Sequence, residues 1–344
     1  MANIIVASTR KSAGKTSVII GLARNLERKM AYVKPLGDRL LYRKKRLWDY
    51  DAAVVLNVLG SNASAEELTI GFEPSKLRYM YEPAQVAERL RDLVKINCED
   101  DDRLLFVEGG SDLSHGTSVD LDALSVARAI GGKLVIVAAG GEDRVVDDVA
   151  FFKRHVDAAG VDLLGVIVNK VSDPDDFELT HLEEIRKLGI PVLGVLPQQA
   201  EMTRESVRFL SDCLFARVLS GEKNLDRMVH HVVVGASTSG GILREPVFQK
   251  ENKLVITSGD RSDIVLAALE TSTSGVVLTN NILPPANIVA KAAAQGMPLL
   301  LVPADTFAVA KQVDDLEPLV TREDMAKQNL LAEMIAKRVN LDAF

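Results

Sequence analysis

The sequence predicts an α/β protein: a P-loop NTPase-type parallel sheet with flanking helices, followed by a smaller α/β domain. Three observations carry this. The stretch Asn3–Lys29 reads as apolar strand, small polar loop and helix, with Gly14-Lys15-Thr16 opening the helix. Strand and helix patterns then alternate, and the strands are near-continuous apolar runs, as a parallel sheet covered on both faces demands. One of those runs, Arg103–Val107, is closed by an acidic residue, Glu108.

The first strand, Asn3–Ser8, leads into the loop Thr9–Ala13, and Ile19, Leu22, Ala23 and Leu26 recur at helical spacing behind it. Backbone N–H groups of such a loop and of the helix N-terminus cradle phosphate oxygens, and the helix dipole favours negative charge. Lys15 is expected to reach the β- and γ-phosphates and the Thr16 hydroxyl to ligate magnesium. The usual pattern G-x-x-x-x-G-K-[ST] has a glycine where this chain has Thr9. Position directly after the first strand, with Ser, Ala and Gly in the loop, outweighs that departure.

Ala31–Lys34 reads as the second strand, which Pro35 stops by removing a ladder donor. Lys34 reads equally well as facing the ligand crevice of an open sheet or as a solvated strand end. Trp48-Asp49-Tyr50-Asp51 precedes a helix over Ala52–Leu59. The two acids at this helix start, Asp49 and Asp51, are either favoured there by the helix dipole alone, or one of the two carboxylates ligates magnesium. Ser61–Tyr81 has mixed polarity and no clear pattern. Glu82–Ile96 is an amphipathic helix, with Pro83 in its first turn and Val86, Leu90 and Val94 on one face. Glu108-Gly109-Gly110 then has the Walker-B arrangement, a carboxylate at the sheet edge that holds a metal or its water. His115, in the loop that follows, reads as a surface residue. Helix Leu121–Ile130, strand Lys133–Ala138, helix Val145–Ala158 and strand Leu163–Val168 come next. Asn169, at the end of that strand, offers a donor and an acceptor to a purine base. Helix Leu182–Leu188 and strand Pro191–Pro197 close the sheet.

Glu205–Leu219 is helical in pattern and Gly221–Asn224 reads as a linker. Four further strands follow: His231–Val234, Lys253–Ile256, Gly275–Leu278 and Pro298–Val302. Each leads into a small, polar loop (235–241, 257–262, 279–285 and 303–306), which is either a shared ligand edge or a set of ordinary βα turns. Asp260, Arg261, Asp263 and Asp305 are the candidates for an effector site there. The Arg261 guanidinium suits a phosphate or carboxylate, and bracing of the loop by Asp260 and Arg261 is an equal reading. The tail Thr321–Val339 has a helical pattern with Thr321 as N-cap, and is expected to pack on the body or on a second subunit.

Bulk properties narrow the function classes. The 344 residues suit about two domains, and 47% hydrophobic with 26% charged residues is ordinary for a globular protein. A net charge of −7 points away from nucleic acid. The basic run Arg39–Arg46 reads as a solvated loop beside the nucleotide site. Cys98 and Cys213 have no metal-type spacing, so neither a disulfide framework nor a zinc site is expected. Met1-Ala2-Asn3 leads straight into a strand, and no apolar run is long enough to span a bilayer. A cytoplasmic location is expected.

With these segments in hand, the chain resembles the N-terminal regulatory region of long bacterial phosphate acetyltransferases and its archaeal stand-alone relatives. That region joins a dethiobiotin-synthetase-like P-loop domain to a DRTGG domain. In the first half the resemblance rests on STRKSAGKTS at 8–17, VKPLG at 33–37, DYDAA at 49–53, VEGG at 107–110, GVIVNKV at 165–171 and LGVLPQ at 193–198. In the second half it rests on ITSGDRSDIVLAAL at 256–269, GVVLTNNILPP at 275–285 and ADTFAVA at 304–310. It implies an ATP-binding P-loop domain over 1–210, a helical linker over 211–227, a DRTGG-like domain over 228–318 and a C-terminal helix over 319–344. Threonine at the first-glycine position is usual in dethiobiotin synthetases, so Thr9 fits. The implied nucleotide contacts are Thr9, Lys11, Ser12, Ala13, Gly14, Lys15, Thr16, Ser17, Asn169 and Pro197, with Asn169 on the adenine. Thr16, Asp51 and Glu108 match magnesium positions. Lys15 and Lys34 match the lysines that handle phosphates and a reacting carbamate. GGSDLSHG after Glu108 and the continuation KPLGDR depart from the synthetases, so diaminopelargonate recognition is not implied. GDRSD replaces the literal DRTGG, and no acetyltransferase catalytic domain is expected, since the sequence stops at Phe344.

Three readings follow. The first is a Mg-ATP-binding regulator or sensor whose second domain reads a small-molecule effector and whose output goes to a separate metabolic enzyme, such as an acetyltransferase chain. The second is an ATP-dependent ligase of the dethiobiotin-synthetase and cobyrinate-amidase type, working through an acyl or carbamoyl phosphate. The third is a docking subunit without nucleotide turnover, which retention of Lys15, Thr16 and Glu108 disfavours. Regulation stands slightly ahead of ligation. Homo-oligomerisation is expected, and neither nucleic acid nor membrane is.

Overall fold

The computed structural model describes residues 2–43, 46–61, 63–97, 103–235 and 246–344. The chain forms two compact units, Met1–Gln199 with Val320–Phe344, and Ala200–Leu319.

The first unit starts with β1 (Ala2–Ser8), α1 (Lys15–Ala23), β2 (Met30–Val33), the hairpin β3 (Leu40–Arg43) and β4 (Arg46–Asp49), α2 (Tyr50–Val58), α3 (Pro74–Met80) and α4 (Pro83–Asn97). It continues through β5 (Leu104–Glu108), α5 (Ala123–Ile130), β6 (Lys133–Ala139), α6 (Glu142–Ala159), β7 (Leu163–Val171), α7 (Pro174–Thr180), α8 (Leu182–Lys187) and β8 (Val192–Pro197). Six strands form one parallel sheet in the order β2-β5-β1-β6-β7-β8. The apolar runs become its core: Ile4, Ile5, Val6 and Ala7 are buried, as is every residue of Leu104–Glu108. Buried on both faces, such strands show no alternation in sequence.

Register brings the C-terminal ends of the strands to one edge. Val6 lies opposite Glu108, Val33 opposite Val107, Ser8 opposite Val137 and Ala139 opposite Asn169. With β2 and β5 on one side of β1 and β6, β7 and β8 on the other, the end of β1 is the topological switch point where open sheets bind ligands.

The second unit contains β9 (Glu205–Ser206), α9 (Val207–Cys213), β10 (Arg217–Ser220), β11 (Met228–Val229), β12 (His231–Val234), β13 (Lys253–Ser258), α10 (Ser262–Leu269), β14 (Thr273–Thr279), α11 (Ala286–Ala294), β15 (Leu299–Leu301) and α12 (Thr306–Asp314). Its five-stranded sheet has the order β10-β15-β14-β13-β12, parallel except for β10. Alternation along the strands feeds two cores. Val255, Val276, Leu278 and Leu299 pack with Ile264, Ala268, Ile288 and Ala292 on one face. Leu254, Ile256, Val277 and Leu300 pack with Val207, Leu210 and Val309 on the other. The last helix, α13 (Met325–Arg338), returns to the first unit and packs along α1 and β8.

Four expectations need correction. Arg39–Arg46 is not a plain loop: Leu40–Arg43 and Arg46–Asp49 pair as antiparallel strands, with 44 and 45 outside the described residues. Glu205–Leu219 is not one helix, and the segment 211–227 is not helical throughout. The helix ends at Cys213, Phe215 takes a left-handed φ of 50°, and Arg217–Ser220 pairs with β15 as a strand. The tail helix is capped by Asp324, which accepts from the Lys327 N–H, rather than by Thr321. Ser61–Tyr81 holds a short 3-10 turn, Ala65–Leu68, and α3. Most of the loop 235–241 lies outside the described residues, as does Cys98. Among the described residues no helix is long and apolar enough to cross a membrane.

Candidate nucleotide site

The loop between β1 and α1 is held from two strands. Asn169 Nδ2, buried at the end of β7, donates to the Ala13 carbonyl at 2.8 Å, and Lys170 Nζ donates to the Ser12 carbonyl at 2.7 Å. Thr9 N–H donates to Val137 O of β6 at 3.2 Å. Gly14, the N-cap of α1, has φ 99°, and a Cβ there would lie 2.3 Å from Asn169 Nδ2, so the loop's turn requires glycine. The first helical hydrogen bond runs from Val18 N–H to Gly14 O. The N–H groups of Lys15, Thr16 and Ser17 thus have no acceptor within the helix, an arrangement that favours an anion at this end.

Below the loop the acidic end of β5 meets the two lysines. Lys15 Nζ, on a buried residue, donates to Ser8 Oγ at 3.0 Å. Burial holds its pKa below the ordinary lysine value, against the attraction of Glu108. Thr16 Oγ1 donates to Glu108 Oε1 at 2.9 Å, and the Tyr32 hydroxyl donates to Glu108 Oε2 at 2.9 Å. Burial pushes the Glu108 carboxyl up to about 7, against Lys34 and with help from Asp51. Burial also drives the Tyr32 phenol well above its usual value, with Glu108 adding to the effect, so Tyr32 stays a donor.

Lys34 is fully buried, and its ammonium is surrounded by acids. Nζ lies 2.5 Å from Asp38 Oδ1, 2.7 Å from Asp51 Oδ2, 3.3 Å from Asp49 Oδ1 and 3.9 Å from Glu108 Oε1. Burial alone would lower its pKa, but Glu108, Asp51, Asp49 and Asp38 together overcome burial and raise it. Burial likewise opposes ionisation of Asp38, and Lys34 overcomes it, holding that carboxyl below its usual value. Asp49 also caps α2, accepting from Ala52 N–H at 3.0 Å, while its other oxygen accepts from the N–H groups of Asp38 and Arg39 at 3.1 and 3.2 Å.

The sequence candidates of the first unit therefore converge. Thr9, Ser12, Ala13, Gly14, Lys15, Thr16 and Ser17 form the loop and helix start, with Lys11 exposed at its tip. Asp51 and Glu108 meet at Lys34, and Pro197 closes β8 beside Val171, next to the strand end that carries Asn169. Tyr32, Asp38 and Arg39 were not singled out from sequence as site residues, whereas Asp49 was read with Asp51 as one of two acids at a helix start. Tyr32 had a signal, since it shares a strand face with Lys34 two residues on. His115 is half-buried, and its Nδ1 accepts from the Ser111 N–H at 3.2 Å, fixing the turn after Glu108.

In the second unit, Arg261 donates to Asp263 Oδ1 and Oδ2 at 3.1 and 3.2 Å. Asp305 caps α12 by accepting from Ala308 N–H at 2.8 Å, and Asp260 is exposed between β13 and α10. All four stand at the C-terminal edge of the sheet.

The residues present fit a nucleoside polyphosphate. Besides the N–H groups opening α1, Thr9 Oγ1 is buried without a hydrogen-bond partner among the described residues, an orphaned group at the loop's start. Thr16, Asp51 and Glu108 supply the hard oxygen donors magnesium takes. Among the described residues no group of three or more His, Cys, Asp and Glu is arranged to hold a metal ion, and Lys34 supplies the positive charge in the acidic cluster.

Fold and site define a P-loop NTPase-like α/β domain joined to a second α/β domain. The chain belongs to the AAA_26 family, an AAA domain matched over residues 2–206, and a DRTGG domain matches residues 210–316. It is similar to the phosphate acetyltransferase of Nitratidesulfovibrio vulgaris, 23% identical over 98% of this chain and 50% of the relative. It is also similar to the ATP-dependent dethiobiotin synthetase BioD of Bacillus subtilis, 26% identical over 60% of this chain and 92% of the relative. Among solved structures, the CBS and DRTGG domains of the regulatory region of Clostridium perfringens pyrophosphatase, complexed with the activator diadenosine tetraphosphate, match with a TM-score of 0.31. That match has 21% identity and covers 36% of this chain and 54% of that one. The chain spans about half the length of the acetyltransferases it matches, 50% of the first.

Proposed function

We propose that the chain binds Mg-ATP at the end of β1 and works as a metabolic regulator or sensor. Lys15 and the N–H groups opening α1 would hold the phosphates, Thr16, Asp51 and Glu108 would hold magnesium, and Asn169 and Pro197 would flank the base. Bound magnesium would neutralise phosphate charge. The second domain would read a small-molecule effector through Asp260, Arg261, Asp263 and Asp305. The output would go to a metabolic enzyme such as an acetyltransferase, a reading supported by the acetyltransferase relatives.

The observation that favours regulation is the state of Lys34. A ligase would use this lysine to handle an incoming carboxylate or carbamate. Here Asp38, in the stretch that departs from the synthetase pattern, already lies 2.5 Å from Nζ. The chain's own carboxylate thus occupies the group a substrate acid needs. The second reading, an ATP-dependent carbon–nitrogen ligase, draws support from the match across nearly the whole of BioD. Phosphate release from Mg-ATP separates the two. A regulator shows slow release, or binding alone, indifferent to added amines and carboxylic acids. Strict dependence on such a substrate contradicts regulation and establishes ligation.

A further inference from the structure

We propose that Tyr32 is a positioning residue that sets the cation preference of the nucleotide site. It holds Glu108 so that one carboxylate oxygen, not both, is offered to a cation, which favours magnesium over calcium. This rests on the proposed Mg-ATP site and names how that site selects its metal. Tyr32 lies outside the phosphate loop, within β2. Parallel register places it opposite Phe106 of β5, and Glu108 stands two residues beyond Phe106 on the same face of the sheet. Tyr32 and Glu108 are each only 2% exposed, so their mutual arrangement is fixed by the packed core around them.

The two oxygens of Glu108 have different partners. Thr16 Oγ1 donates to Oε1 and the Tyr32 hydroxyl donates to Oε2, both at 2.9 Å. The two donors are not equivalent. Thr16 is half-buried at the opening of α1, and its hydroxyl can rotate, turning the proton away and presenting a lone pair instead. The Tyr32 hydroxyl is enclosed, and Glu108 is its hydrogen-bond acceptor among the described residues. Turning from Glu108 would leave a buried donor unsatisfied. Lys34 Nζ, at 3.9 Å from Oε1, is beyond hydrogen-bond range and is engaged by Asp38 and Asp51 at 2.5 and 2.7 Å. Oε1 is therefore the oxygen that Glu108 releases to a cation, while Oε2 stays with Tyr32.

A single carboxylate oxygen suits magnesium better than calcium. Magnesium is small, demands near-octahedral geometry and keeps several of its waters, so it takes few protein ligands. Calcium is larger, gathers more oxygens and commonly takes a carboxylate through both of them. With Oε2 committed to the phenol, the second mode is closed. Tyr32→Phe removes the hydroxyl and keeps the ring in the core, so it opens Oε2 with little change in packed volume. A role confined to packing would leave the balance between the two cations where it is.

The test is calorimetric titration of the full chain, wild type and Tyr32→Phe, with adenylyl imidodiphosphate in excess magnesium chloride and in excess calcium chloride. Wild type is expected to bind the magnesium complex more tightly than the calcium complex. Tyr32→Phe is expected to shrink that ratio about threefold or more. A smaller change, a larger ratio, or loss of both complexes together overturns the proposal while the nucleotide site stands. A wild type that binds the calcium complex as tightly as the magnesium complex overturns it without recourse to the variant. Failure of wild type to bind either complex overturns the site and this inference together. Thermal unfolding of nucleotide-free Tyr32→Phe, expected as one cooperative transition, establishes that the ratio is read on folded protein.

Discussion

Lys34 concentrates the electrostatics of the site in one side chain. Desolvating an ammonium costs several kcal/mol, and here Asp38, Asp49, Asp51 and Glu108 offset that cost. Removing the lysine leaves buried acids facing one another. Lys34→Met is therefore expected to destabilise the nucleotide-free protein by about 3–5 kcal/mol in denaturant titration. An unchanged midpoint would mean that the acids find other partners. Glu108 gives a pH signature. Burial raises its folded pKa to about 7 from an ordinary 4.5, so the stability it contributes is complete below 4.5 and lost as pH rises through about 7. Glu108→Gln should flatten the fall in unfolding temperature between about pH 5 and about pH 8, and an identical pH profile would exclude this role. Lys34, Asp51 and Glu108 were each legible as candidates beforehand, but not as one cluster. Lys34 read equally well as a solvated strand end because a lone lysine gives no sign of its partners. Asp38 and Asp49 reach it only once the turn after Pro35 folds back and the β3–β4 hairpin forms.

Elements were legible where the chain repeats one period and is buried. The strands of the first sheet are near-continuously apolar because helices cover both faces, and α4 shows its buried stripe of Val86, Leu90, Leu93 and Val94. Periodicity failed where backbone conformation intervened. The left-handed Phe215 ends the helix Val207–Cys213 and turns the chain into β10, although the side-chain pattern would have carried a helix onward. The β3–β4 hairpin escaped notice because its sequence is mainly basic and aromatic and lacks Asn-Gly or Asp-Gly turn chemistry. The helix α13 makes a separate prediction. It lies on α1, where a Cβ on Gly21 would meet Ile335 Cγ1 at 2.4 Å and Asn25 Nδ2 donates to Ala332 O at 2.9 Å. Ile335 is fully buried, so Ile335→Ala should cost about 2–5 kcal/mol of stability in chemical denaturation. A loss under about 0.5 kcal/mol would show that α13 is a loose appendage of α1.

Across the whole molecule, the first unit is discontinuous in sequence. The chain leaves it after β8, builds the second unit over Ala200–Leu319, and returns to pack α13 on the helix that follows the phosphate loop. The C-terminal residues also close the open edge of the sheet: Gly194 of β8 bridges Val339, and Asn340 N–H donates to Leu193 O at 2.8 Å. The two α/β units were legible because each follows the strand–turn–helix rhythm, whereas the return of α13 to α1 depends on side-chain fit at Gly21 that no periodicity reveals. Regulation and ligation alike require the β1–α1 loop to be a working nucleotide site. Calorimetric titration of Mg-ATP into wild type and Lys15→Ala tests it most directly. Saturable binding to wild type that is lost in Lys15→Ala is the expected result; no binding to wild type, or equal binding to both, would contradict a nucleotide site at this loop.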